Sequence, residues 1–95
     1  MNEIKEATQF YEMCIYAPKV YKMFREHYLN ETQEDVARII GCTVATVSGS
    51  ETTNTSSRNN SKVLLYYIQR GLTVDAFNSI INFIKMSEKE GRING

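Results

Sequence analysis

Between Thr32 and Ser50 the chain reads TQEDVARIIGCTVATVSGS, and one glycine in the middle decides what can be built from it. Val36, Ala37 and Ile40 share one helical face, and Gly41 follows at once. A glycine there takes the left-handed conformation that other residues resist, so the helix stops within a residue. Thr32 supplies an N-cap at its front, with Asp35 three positions on, where a capping box places an acid. Thr43 then caps a second short helix whose inward residue is Val47. The spacing predicts helices over about 33–40 and 44–50, joined by a tight turn.

The rest of the chain is helical in pattern as well. Ile4, Ala7, Tyr11, Cys14 and Ile15 form an apolar stripe on a helix over 3–16, and Ala17-Pro18 punctuates it. Pro18 suits the first position of a second helix, where a missing N–H costs nothing. That helix runs to about Leu29 with Val20, Met23, Phe24 and Tyr28 inward. The ten polar residues ETTNTSSRNN, 51–60, have no period and read as a loop. Asn60 or Ser61 then caps a helix through about Arg70 that buries Val63, Leu64, Tyr67 and Ile68. Gly71 closes it, and Thr73 caps a last helix over about 74–86. There is no strand pattern and no internal repeat. The expected fold is all-α: a compact bundle of five helices over 18–86, an added N-terminal helix over 1–17 and a frayed tail at 87–95.

The last helix carries more apolar residues than one face can hold. Phe77, Ile80, Ile81, Phe83 and Ile84 spread around it, whereas a small monomer covers a stripe of roughly 100°. Self-association through these five residues, as a homodimer, is the expectation; the alternative is that this helix lies fully buried at the centre of the bundle.

Composition removes several classes. The chain has 95 residues, 42% of them hydrophobic and six of them tyrosine, which suits one small globular domain. Eleven basic residues balance eleven acidic ones, unlike a dedicated non-specific nucleic-acid binder. The distribution is uneven: residues 1–60 hold eight acids and six bases, residues 61–95 three acids and five bases. Cys14 and Cys42 form no metal or redox motif, and the single His27 has no partner with which to build a metal site. Glu34-Asp35 is an acid pair that favours a helix start, and no nucleophile has a recognisable base. No catalytic residue, metal or cofactor is expected. The start MNEIKEATQF lacks the basic and apolar runs of a signal peptide, and no segment reaches membrane-spanning length, so a cytoplasmic protein is expected.

Residues 32–51 resemble the helix-turn-helix of the Cro/C1-type (XRE-like) regulators of phages and bacteria. The usual form there is Thr-Gln-x-x-hydrophobic-Ala, then hydrophobic-Gly-hydrophobic-Ser/Thr, then a hydrophobe four residues on. Thr32-Gln33, Val36-Ala37, Ile40-Gly41-Cys42-Thr43 and Val47 take these places. GLTVDAF, residues 71–77, is similar to the stretch that opens the last helix of the family, and the likeness covers about residues 19–84. Ser50 departs from the pattern, which puts a large hydrophobe there. The resemblance implies a lambda-repressor-like DNA-binding fold and a dimeric transcriptional regulator, such as a repressor, that occupies an operator.

On that resemblance, Val44, Ala45, Ser48 and Gly49 face the bases of double-stranded DNA, and Gln33 and Thr43 meet phosphates. Two helix N-termini also favour an anion on physical grounds alone. Between Thr43 and Ser50 there is no Arg, Lys, Asn or Gln, the side chains that normally read bases. Val44, Ala45 and the Thr46 methyl can touch thymine methyls, and Ser48 can donate or accept. Arg58, Asn59, Asn60 and Lys62 form the nearest positive polar cluster for gripping the backbone. The alternative is a protein-binding module on the same fold, an antirepressor or an inhibitor of a host or phage protein. The neutral charge, the reader-poor helix, the broad apolar last helix and the added N-terminal helix point that way.

Overall fold

A computed structural model describes the backbone of residues 2–52 and 58–89, and the side chains of 6–52 and 61–89. Every regular element among the described residues is helical. The order is α1 (Asn2–Met23), a π-helical segment (Phe24–Leu29), α2 (Gln33–Ile40), α3 (Val44–Thr52), α4 (Arg58–Gln69) and α5 (Val74–Lys89).

α1 corrects the expectation of two helices meeting at Ala17-Pro18. It runs through Pro18 without a break. Proline there removes one i→i−4 hydrogen bond and crowds the preceding turn. Burial on both sides of it offsets that cost: Tyr16 and Ala17 pack on the core, and Val20 and Phe24 lie in it. The N-terminal helix is therefore continuous with the bundle. Its inward residues are not the expected stripe either, for Ala7, Tyr11, Cys14 and Ile15 are exposed while Met13, Tyr16 and Ala17 pack inward. The Ile4 side chain lies outside the described residues.

The π-helical turn places the consecutive residues Phe24 and Arg25 both inside. Asn30 ends it at φ 54°, and the N–H groups of Asn30 and Glu31 both reach the Arg25 carbonyl. Asparagine is among the few non-glycine residues that visit this region readily. Tyr28, expected in the core, is exposed, with its ring stacked on Phe24 at 5.2 Å.

The ends of α2 follow the sequence. Thr32 Oγ1 accepts the Asp35 N–H at 3.0 Å, and the Asp35 carboxylate accepts the Thr32 N–H at 2.9 Å, a reciprocal cap. Gly41 sits at φ 74°, and the Cys42 N–H reaches the Ala37 carbonyl at 2.9 Å. Thr43 Oγ1 accepts the Thr46 N–H at 3.2 Å to open α3. Thr73 Oγ1 accepts the Ala76 N–H at 3.1 Å to open α5.

The expected loop over 51–60 is shorter than the polar run. Glu51 and Thr52 belong to α3, α4 begins at Arg58, and residues 53–57 lie outside the described ones. α5 likewise extends through Ser87–Lys89, part of the expected tail.

The core joins Val20 and Phe24 of α1 and its π-helical continuation to Val36, Ala37, Val47, Val63, Tyr67, Leu72 and the inward face of α5. Tyr67 is its aromatic centre, within 5.8 Å of Tyr21, Phe24 and Tyr66 by ring centroid. α1 lies against α5: Tyr21 meets Phe77 edge-on, and Lys19–Glu88 and Glu12–Lys85 pair across the two helices. That contact corrects the self-association surface. Phe77, Ile80, Ile81 and Ile84 are buried within this chain, because α1 covers the face that the sequence left unpartnered. Of the five expected residues only Phe83 is exposed, at 57%.

Candidate functional site

α3 divides into two faces. Val47, Ser50 and Glu51, at i, i+3 and i+4, are buried. On the other side Ala45 is exposed, Val44 is 40% exposed, and Thr46, Ser48 and Gly49 are partly exposed. Ser50, standing where a large hydrophobe was expected, donates its hydroxyl to the Val47 carbonyl at 2.6 Å. The inward face of α3 is thus held partly by polar groups.

The strongest of these is Glu51. Arg25 Nε donates to Glu51 Oε2 at 2.6 Å and Arg25 Nη2 to Oε1 at 3.0 Å, a two-pronged ion pair with the Glu51 side chain only 2% exposed. Arg25 Nη1 donates to the Glu31 carbonyl at 2.9 Å, and Gln33 Nε2 to Glu51 Oε1 at 2.9 Å. The hydrogen bond to Glu51 holds the Arg25 guanidinium above its ordinary pKa. This network ties the π-helical segment to the start of α2 and the end of α3, fixing the two short helices at both outer ends. A planar fork with several donors suits that task better than an ammonium group.

A second network secures the segment before α2. Tyr66 Oη donates to Glu31 Oε1 at 2.6 Å, and Arg70 Nη1 donates to Glu31 Oε2 at 3.2 Å. The Arg70 guanidinium also stands over the Tyr66 ring, 5.6 Å from its centroid. Burial first, and then the Glu31 hydrogen bond, push the Tyr66 hydroxyl up.

Neither Arg25 nor Glu51 stood out in the sequence, where the glutamate opens a polar run. A signal existed in their spacing. Glu51 lies four residues after the inward Val47, and Arg25 directly follows the inward Phe24. An acid and an arginine on apolar faces are candidates for each other.

The expected DNA contacts gather unevenly around α3. Gln33 is half-buried, with one amide hydrogen engaged by Glu51. Thr43 and Thr46 share a hydrogen bond between their hydroxyls at 3.0 Å. Lys62 is exposed, and its charge is close enough to Cys42 to ease ionisation of that thiol, although burial has the larger effect and raises it. That puts one cation near the turn between α2 and α3. The side chains of Arg58, Asn59 and Asn60 lie outside the described residues.

An open concavity of about 700 Å³ lies between the end of α1 and the start of α2, with Val44 on its wall. Lys22, Glu26 and Glu34 line it with Arg25 and Glu31, which pair with Glu51 and Arg70; Glu26 also lies 3.6 Å from the Arg25 guanidinium. Among the described residues no cluster of three or more His, Cys, Asp or Glu could hold a metal ion, and no helix is long and apolar enough to cross a membrane.

Compared with protein-family models, with curated proteins and with solved structures, the chain matches none.

Proposed function

We propose that this chain is a small DNA-binding transcriptional regulator, with α2 and α3 as a helix-turn-helix of the Cro/C1 kind and α3 laid in the major groove. The observation that carries the reading is the two-faced α3. Its inward side is locked by Val47, Ser50 and the Glu51–Arg25 pair, and Val44 and Ala45 at its N-terminal end are exposed. A recognition helix needs that combination, because it must be rigid behind and accessible in front. The resemblance of residues 32–51 and 71–77 to the same family supports it.

Affinity comes from the phosphate backbone in this reading. Thr43 at the α3 N-terminus and Lys62 beside the turn supply one site, and Arg58 and Asn60 are the further phosphate contacts expected from the sequence. A homodimer doubles these contacts on one duplex, with Phe83 the one residue of the expected five still exposed for the self-contact. The protein acts in the cytoplasm without a cofactor, by occupying an operator.

The test is a salt titration of binding to random duplex DNA. Two cations per subunit, four per dimer, give a log–log slope near about −4, at roughly 0.9 per phosphate neutralised. Arg58→Ala and Lys62→Ala each reduce the steepness. Absence of binding at low salt counts against the reading.

One observation favours a second reading, a protein-binding module on the same scaffold. Glu26, Glu31 and Glu34 outnumber Lys22 and Arg25 around the concavity beside Val44, an arrangement that repels phosphate. Recovery of a specific protein partner by a chain that ignores DNA would decide for it.

A further inference from the structure

The outward surface of α3 is made of small and apolar groups apart from the partly exposed Ser48, and most of the polar side chains around it bond within the protein. α3 holds no Arg, Lys, Asn or Gln. The Ser50 hydroxyl donates to the Val47 carbonyl at 2.6 Å, and the Thr52 hydroxyl to the Ser48 carbonyl at 3.2 Å. Thr43 and Thr46 bond to each other, and the Gln33 amide is drawn toward Glu51. Hydrogen-bond reading of base edges needs donors and acceptors that point outward in fixed geometry, and this helix directs most of its own inward or along its axis.

What it presents instead is Val44 and Ala45 at the first two positions, with Gly49 one turn on. A Cβ built at Gly49 would meet nothing within 4 Å, so that side of α3 is open. Short side chains let a helix backbone come close to the floor of a groove, and apolar ones have a single specific partner there. The 5-methyl group of thymine is the only apolar substituent that unmodified DNA displays in the major groove.

Resting on the DNA-binding reading above, we infer that this protein selects its site through thymine 5-methyl groups, contacted by Val44 and Ala45. The site is accordingly rich in A·T pairs, with discrimination spread over several modest contacts. Each methyl removed from water contributes about fourfold in affinity.

Selection of duplexes from a random pool by the full-length chain gives the preferred site. Each thymine of that site is then replaced singly by uracil, which keeps the base pairing and loses only the methyl. Affinity is expected to fall about fourfold at the contacted positions and to stay level elsewhere. Val44→Ala is expected to abolish the thymine–uracil difference at one position and keep it at the others. In sites carrying cytosine at a contacted position, 5-methylcytosine is expected to bind better than cytosine. Equal affinity for thymine and uracil sites throughout, with duplex binding intact, overturns the inference and leaves the DNA-binding reading standing. A Val44→Ala variant that keeps every thymine–uracil difference overturns the assignment to Val44. A chain that binds no duplex at low salt overturns the DNA-binding reading itself, and this inference with it.

Discussion

Arg25 and Glu51 meet in a buried two-pronged ion pair, at 2.6 and 3.0 Å, across 26 positions of sequence. Four segments converge on it: the π-helical turn, the Glu31 carbonyl, Gln33 of α2 and the end of α3. Breaking such a pair leaves a charge without a partner in a poorly solvated place, which costs about 3–5 kcal/mol. Glu51→Ala and Arg25→Ala are each expected to lower stability by that order in urea unfolding. An Arg25→Met/Glu51→Leu double variant is expected to recover most of the loss, since apolar replacement of both partners removes the uncompensated charge. Single variants with wild-type midpoints would refute the burial of the pair.

Tyr67 lies at the centre of the aromatic cluster, and its hydroxyl is buried with no hydrogen-bond partner among the described residues. Burial pushes that hydroxyl well above the usual tyrosine range. Tyr67→Phe keeps the ring and removes the orphaned oxygen, so stability is expected to stay level or rise by about 1 kcal/mol. A loss of more than that in chemical denaturation would mean the hydroxyl is bonded in solution.

Pro18 tests the continuity of α1. In the interior of a helix, replacement by alanine restores a hydrogen bond to the preceding turn and removes a clash. The more flexible unfolded chain offsets part of the gain, leaving an expected stabilisation of about 1–3 kcal/mol for Pro18→Ala. At the first position of a separate helix the same change would bring no gain. Thermal unfolding distinguishes the two.

The Asp35 carboxylate accepts the Thr32 N–H and pairs with Arg38, and these contacts hold its pKa below the ordinary 3.8. A lowered folded-state value means that the cap contributes stability above pH 3.8 and loses it as the pH falls through the folded-state pKa. Carboxyl NMR should place the Asp35 midpoint below 3.8, and Arg38→Ala should move it upward. A midpoint at 3.8 or higher would show that the reciprocal cap does not persist in solution.

Much of the scaffold was legible because its signals are local. The Thr32–Asp35 cap, the Gly41 stop, and the Thr43 and Thr73 caps each involve residues within a few positions, so their spacing in sequence is nearly their spacing in space. Helix ends are less legible where a polar run without a period resembles a loop. Glu51, Thr52 and Arg58 look like loop residues one by one, yet Glu51 and Thr52 close α3, where the buried Glu51–Arg25 pair holds the last turn, and Arg58 opens α4.

The sequence by itself determined the helical class, the tight α2–α3 turn and the absence of base-reading side chains on α3, since these depend on residue type and short spacing. The tertiary structure decided which apolar faces are covered. It carried α1 through Pro18 and laid it over α5, so that Phe77, Ile80, Ile81 and Ile84 became core instead of surface. It also decided that Arg25 and Glu51 meet. Periodicity states that a face must be buried, but the identity of the burying partner is set by long-range packing, where shape and charge over the whole molecule are satisfied together.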